Sequence, residues 1–158
     1  MKKNVVAALL GSALLASVNC QATDWVKNNV DVPNKNLEAN YYDGDSVKAH
    51  DKTISWTEKY VLTPFGVEQY NKHLASFPVC KQNIASKGQV TYHQMDFEIK
   101  EGKFRVVAKR NYNKKDELVC TDKDMNKELD TSWHKVVYRS PMYERYYILV
   151  TKYKLGNL

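Results

Sequence analysis

The chain has 158 residues, 43% of them hydrophobic, with 24 Lys and Arg against 18 Asp and Glu and a net charge of +6. That length supports one ordinary core and excludes two full domains. Both signs of charge are mixed along the chain. With no basic block and no recognised module, nucleic acid is not an expected partner, while a mild basic excess suits acidic surfaces, glycans or lipid headgroups.

Lys2 and Lys3 precede an apolar run from Val5 to Val18, and the small residues Cys20 and Ala22 follow. This is the pattern of a secretory signal, residues 1–22, too short to persist as a spanning helix. Cleavage after Ala22 removes two lysines and no acid, lowers the charge from +6 to +4, and leaves residues 23–158 as a single domain. The expected location is the periplasm, the outer-membrane surface or the medium. A lipoprotein signal would place Leu three residues before its Cys and a small residue just before it. Here Ser17-Val18-Asn19 precedes Cys20, so Cys20 is expected to leave with the signal, and a membrane tether follows only if Cys20 is acylated.

Trp25 to Asn40 is polar, rich in Asn and interrupted by Pro33, which reads as a lead-in with at most an early edge strand. Tyr41-Tyr42 then enters the turn Asp43-Gly44-Asp45-Ser46. Thr53 to Leu62 alternates: Ile54, Trp56, Tyr60 and Leu62 share one face, and Thr53, Ser55, Thr57 and Lys59 the other. Glu58 falls on the apolar face and is the misfit. After Thr63-Pro64 the period changes, and Val67, Tyr70, Leu74 and Phe77 form one stripe of a three-turn helix stopped before Pro78.

Gln89 to Ile99 is extended, Glu101-Gly102 marks a hairpin turn, and Phe104 to Tyr112 returns as a strand. A turn at Asn113-Lys114-Lys115-Asp116 leads to a further strand, Glu117 to Thr121, completing an antiparallel meander. Asp122 to Ser132 reads as loop, and Trp133 to Arg139 as a short strand or extended connection. Ser140-Pro141 is an N-cap with proline at the first helical position. Tyr143, Tyr146, Tyr147, Val150 and Tyr153 then trace one side of a closing helix. The expected fold is α+β: a mainly antiparallel sheet of about five strands, with one helix before the central hairpin and one at the C-terminus.

Cys80 and Cys120 both survive cleavage, and an even pair in an oxidising compartment predicts a bridge. The histidines His50, His73, His93 and His134 are dispersed, with none at metal-ligand spacing, so neither a metal nor a cofactor is expected. No CxxC pair, G-x-S-x-G elbow or Gly-rich phosphate loop gives nucleophilic catalysis an address. Asp122, Asp124, Asn126 and Glu128 alternate as in a calcium loop. Lys127, however, stands where such a loop needs Gly and Trp133 where it needs a bidentate acid, which leaves a solvated loop.

The binding candidates are Lys103, Arg105, Lys109 and Arg110, in a hairpin that also carries Lys100, Lys114 and Lys115. Regular alternation puts Arg105 and Lys109 on one face with Val107 between them, and Arg110 on the other. On an open sheet such residues would attract acidic partners. Eleven tyrosines add amphipathic area suited to binding surfaces and to cores that meet water.

Several pieces are similar to one known family. Tyr41-Tyr42-Asp43 with Ser46-Val47, the strand Ile54-Ser55-Trp56, the hairpin strand Phe104 to Tyr112 leading into Asn113-Lys114-Lys115-Asp116, and Trp133 with Ser140-Pro141 before a terminal helix resemble the surface-adhesin protein E family. That family ties a strand cysteine to one near its C-terminus, whereas Met142 to Lys154 here contains none. The resemblance implies a non-enzymatic domain of the cell envelope, some members of which bind host extracellular-matrix proteins. The leading expectation is thus an exported, adhesin-like protein that meets a protein or acidic partner through an exposed sheet face. The alternatives are a periplasmic enzyme or inhibitor, marked by His93 or His134 in a pocket beside a carboxylate, and an envelope assembly partner using a sheet edge.

Overall fold

The computed structural model describes residues 23–28, 34–126 and 129–155. The signal segment 1–22 with Cys20, Pro33 in the lead-in, and Lys127 and Glu128 of the acidic loop lie outside the described residues.

The strands are β1 (Trp25–Lys27), β2 (Leu37–Asp43), β3 (Lys48–His50), β4 (Thr53–Leu62), β5 (Val90–Lys100), β6 (Lys103–Asn113), β7 (Leu118–Thr121) and β8 (His134–Lys135). The helices are α1 (Pro64–Leu74), α2 (Pro78–Lys87) and α3 (Pro141–Tyr153). One antiparallel sheet runs β1-β2-β4-β5-β6-β7, with β3 added to β4 and β8 to β6. The expected α+β architecture is present, with more strands than anticipated and a second helix before the hairpin.

Alternation in β4 places Ile54, Trp56 and Leu62 in the core, and cross-strand pairing sets Phe97 and Ile99 beside them. Leu62 packs with Leu74 of α1 and Cys80 of α2, while Ile54 and Trp56 pack with Leu149 of α3. Because these residues share one face of β4, all three helices lie on the same side of the sheet.

The helix starts follow their sequence signals. The Thr63 hydroxyl accepts from Gly66 N at 3.0 Å and the Ser140 hydroxyl from Tyr143 N at 3.2 Å, each with proline in the first turn. Gly66 lets the first turn of α1 press on the β2 lead-in, since a Cβ there would sit 2.1 Å from Asn36 O.

The sequence reading ended helical structure at Pro78, yet Pro78 begins α2. Few apolar residues mark this helix, and its anchoring is polar and covalent. The Cys80–Cys120 disulfide joins it to β7 with Cα atoms 5.4 Å apart. Asn83 Nδ2 donates to Val119 O at 2.7 Å and Lys87 Nζ to Leu118 O at 2.7 Å.

On α3 the buried positions are Arg145 and Leu149, flanked by Met142, Tyr146, Val150 and Tyr153. Tyr147, expected on the packed side, is 60% exposed. Its place in the core is taken by Arg145, for a reason that lies on β4.

Candidate binding surfaces

With the helices on one side, the other face of the sheet is left open. Paired residues stand in rows across it: Tyr41 beside Lys59, Thr57 beside Asp96, Glu98 beside Arg105, Tyr92 beside Tyr112. Lys59 Nζ lies 4.0 Å from the centre of the Tyr92 ring and 5.6 Å from that of Trp25. Tyr92 and Tyr112 stack at 5.1 Å with planes 10° apart. Such cation–π and stacking contacts hold long side chains flat against the sheet.

The two arginines of this face are already engaged. Arg110 donates to both Asp96 oxygens, at 2.7 and 2.5 Å, and Asp96 also accepts from Thr57 Oγ1 at 2.8 Å. Arg105 Nε donates to Glu98 Oε2 at 2.7 Å, and its guanidinium lies 4.6 Å from the Trp133 ring. Beside this pair a concavity of about 390 Å³ opens between His50, Ser55, Glu98, Lys100, Arg105 and Trp133.

The face assignment differs from regular alternation. Phe97 pairs with Val106 and Asp96 with Ala108, so Val107 is an extra residue, a bulge. Beyond it the side chains change sides. Arg105 and Arg110 therefore share the open face, while Lys109 pairs with Met95 and points to the helix side, its Nζ 5.0 Å from the Tyr70 ring. Lys103 is exposed at the start of β6. The four candidates do not form one positive stripe. Arg105 and Arg110 sit together in a surface of mixed charge, with Asp96 and Glu98 as their counter-ions.

On the helix side, the misfit Glu58 is fully buried at 0% exposure and Arg145 is 6% exposed. Arg145 Nε lies 2.6 Å from Glu58 Oε1, a charge contact off the N–H axis. Trp56 Nε1 donates to Oε1 at 2.9 Å, and Tyr60 OH and Asn40 Nδ2 donate to Oε2 at 2.5 and 3.3 Å. Burial first, and then the Glu58 charge, pushes the Tyr60 hydroxyl well above its usual range, so it remains a donor. This cluster joins β4 to α3 and has no room for a ligand.

Tyr60 also forms part of a cleft of about 420 Å³ lined by Leu37, Tyr70, His73, His93 and Met95 among others. His93 stacks on Tyr60 at 5.0 Å and tilts against Tyr70 at 5.4 Å, and its Nδ1 is enclosed without a hydrogen-bond partner. Burial, helped by the charge on Lys109, pushes His93 down to about 3. A base that weak takes no proton near neutrality. Among the described residues no carboxylate lines this cleft, and Glu58 stands behind Tyr60 with its donors already in place.

A second constellation sits on the surface. His134 Nε2 lies 3.2 Å from Ser132 Oγ and 3.1 Å from Asp130 Oδ2. A proton relay needs the hydroxyl and the carboxylate on opposite ring nitrogens. Here both fall on Nε2, in the open. The acidic loop next to it serves the backbone: Asp124 Oδ2 accepts from Thr121 N at 2.8 Å and Asp122 Oδ1 from Lys109 N at 3.3 Å.

What the sequence does not show is the grouping of aromatics on one open face. Trp25, Tyr41, Tyr92, Tyr112 and Trp133 were legible one by one as aromatics in polar or weakly patterned stretches. No family model matches the chain, and neither a curated protein nor a solved structure matches it.

Proposed function

We propose that this is an exported cell-envelope binding protein, adhesin-like and without catalytic chemistry of its own, that meets a protein partner through the open sheet face. One observation carries the reading: an uncovered face on which Trp25, Tyr41, Tyr112 and Trp133 stand among Lys59, Arg105 and Arg110, with the buried Tyr92 ring beneath Lys59 as their support. Tyr, Trp and Arg concentrate binding energy at protein interfaces. Contacts among Trp25, Lys59, Tyr92 and Tyr112, and between Arg105 and Trp133, fix these side chains before a partner arrives, which lowers the entropic cost of association. Since Asp96 and Glu98 balance the arginines, the surface fits a partner presenting both signs of charge.

Export rests on the leader pattern of residues 1–22, and a disulfide suits an oxidising compartment. The resemblance to surface-adhesin protein E adds host extracellular-matrix proteins as the partner class. The weakly basic His93 and the one-sided His134 contacts support a non-enzymatic reading.

The test is binding of the purified protein to immobilised extracellular-matrix and envelope proteins. Arg105→Glu with Trp133→Ala should weaken capture by about thirtyfold or more, the scale of a central interface residue. His73→Ala, on the helix side, should leave it unchanged. Absence of binding by the natural chain, or loss through His73→Ala but not through the double variant, would overturn the assignment.

A further inference from the structure

At the end of the sheet formed by the β5–β6 turn, apolar surface is left uncovered. Val137 and Tyr138 are 65% and 67% exposed, and Tyr147 on the adjoining turn of α3 is also exposed. Tyr138 meets the Tyr143 ring edge-on at 5.0 Å, and a groove of about 190 Å³ lies between Ile99, Gly102, Val136, Tyr138 and Tyr146. The segment is pinned, since Val136 N donates to Gly102 O at 2.8 Å and Ser140 N to Val137 O at 3.0 Å.

Cations surround this tip. Lys100 and Lys103 come from the hairpin, and Lys135 and Arg139 flank Val136-Val137-Tyr138. Among the described residues none of the four makes an ion pair, and Arg139 lies 5.3 Å from the Tyr138 ring centre. The acids nearby are Glu101 and Glu144, with Asp51 and Glu98 across the concavity from Lys100 and Asp130 held by His134. Exposed apolar side chains, amphipathic tyrosines and a cationic rim form the composition that settles into a bilayer interface, with rings at headgroup depth and cations on phosphates.

The geometry points to peripheral docking of this tip on an anionic lipid surface. Val137 and Tyr138 enter the boundary between headgroups and acyl chains, and Lys135 and Arg139 meet the phosphates. Lys135 and Arg139, which flank the apolar residues and make no ion pair among the described residues, select an anionic bilayer over a zwitterionic one. Among the described residues no helix is long and apolar enough to cross a membrane, so these helices make no crossing here. The tip adjoins the Trp133 concavity, with Lys100 at the edge of both, but its apolar members Val137 and Tyr138 are no part of the open face, so this docking goes beyond the function proposed above. It would hold the domain at a membrane with no acyl chain on Cys20.

The experiment is co-sedimentation of the full chain, as its host produces it, with vesicles of phosphatidylcholine alone or mixed with phosphatidylglycerol. Any contribution of residues 1–22 is common to all variants. Binding should require phosphatidylglycerol and weaken as salt rises. Lys135→Gln with Arg139→Gln should lower affinity by about thirtyfold, and Val137→Asp should abolish retention. Lys114→Gln with Lys115→Gln removes the same charge at the opposite end of the hairpin and should change little. All three sets alter exposed side chains, and matched urea midpoints verify their folding. Equal binding to both vesicle types, equal loss from the Lys114 and Lys115 pair, or full retention by Val137→Asp would overturn the inference. So would a tip that captures protein while ignoring vesicles.

Discussion

Three hydrogen-bond donors and one cation surround the Glu58 carboxylate, each from a different position: Trp56 and Tyr60 two residues away on either side, Asn40 from the neighbouring strand, and the Arg145 charge from α3. A buried ion pair contributes little net stability, but losing one partner strands a charge in a dry site. Arg145→Met should cost about 3–5 kcal/mol in urea unfolding. Adding Glu58→Gln should recover part of that loss, because the amide oxygen still accepts while the charge is gone. His93 sets a pH dependence at the same scale. It takes its proton near 6.5 when unfolded and at about 3 when folded, so in that window the unfolded state binds more protons. Stability is full above the unfolded value and falls as pH drops through the window, by at most about 1.4 kcal/mol per pH unit. His93→Gln should flatten that slope, and an unchanged slope in acid titrations of stability would refute the burial argument.

The β5–β6 hairpin shows what an element owes to its turn and its register. Glu101 and Gly102 both take left-handed conformations, φ 50° and 71°, as a two-residue turn of the mirror-image type requires. Glycine does this freely and Glu does not. Glu101→Asn should therefore stabilise the hairpin by up to about 1 kcal/mol, measured as a shift in the urea midpoint. The turn, both strands and the alternation of β4 were legible because period and punctuation carry them. The bulge at Val107 was not, since an inserted residue in a Val-Val-Ala run leaves no compositional mark. That one residue separated Lys109 from Arg105 and brought Arg110 to the open face, so a correct strand yielded an incorrect set of neighbours. Likewise α2 lacked a readable apolar stripe, because only Cys80 and Ile84 pack into the core and a disulfide and side-chain bonds to β7 carbonyls supply the rest of its anchoring. Glu58 was visible as an anomaly. Its solution, Arg145, stood in a helix whose tyrosines drew attention to the wrong side.

At the scale of the molecule, one sheet carries two core clusters side by side. Leu62, Leu74, Cys80, Val90, Val119, Cys120 and Met125 form one under α1 and α2, and Tyr42, Ile54, Trp56, Phe97, Ile99 and Leu149 form the other under α3. The Cys80–Cys120 bridge ties down the first and the Glu58–Arg145 contact lies in the second, with His93 stacked between Tyr60 and Tyr70 as the link, so loss of the bridge should act first on its own side. In the chain-entropy description, a bridge across 40 residues of sequence stabilises the fold by about 4 kcal/mol. Reduction, or Cys80→Ser with Cys120→Ser, should lower stability by about that amount. The loss should also be local in hydrogen exchange: amides of α2 and β7 gain rate first, while those of α3 and the centre of β4 keep their protection. Uniform acceleration across both helical layers would mean that the sheet transmits the damage and that the two cores act as one. Retention of the α3 side would keep the Trp133 concavity and the cationic tip intact, because both belong to that end of the sheet, whereas Tyr92 and Tyr112 stand at the β7 end beside the bridge.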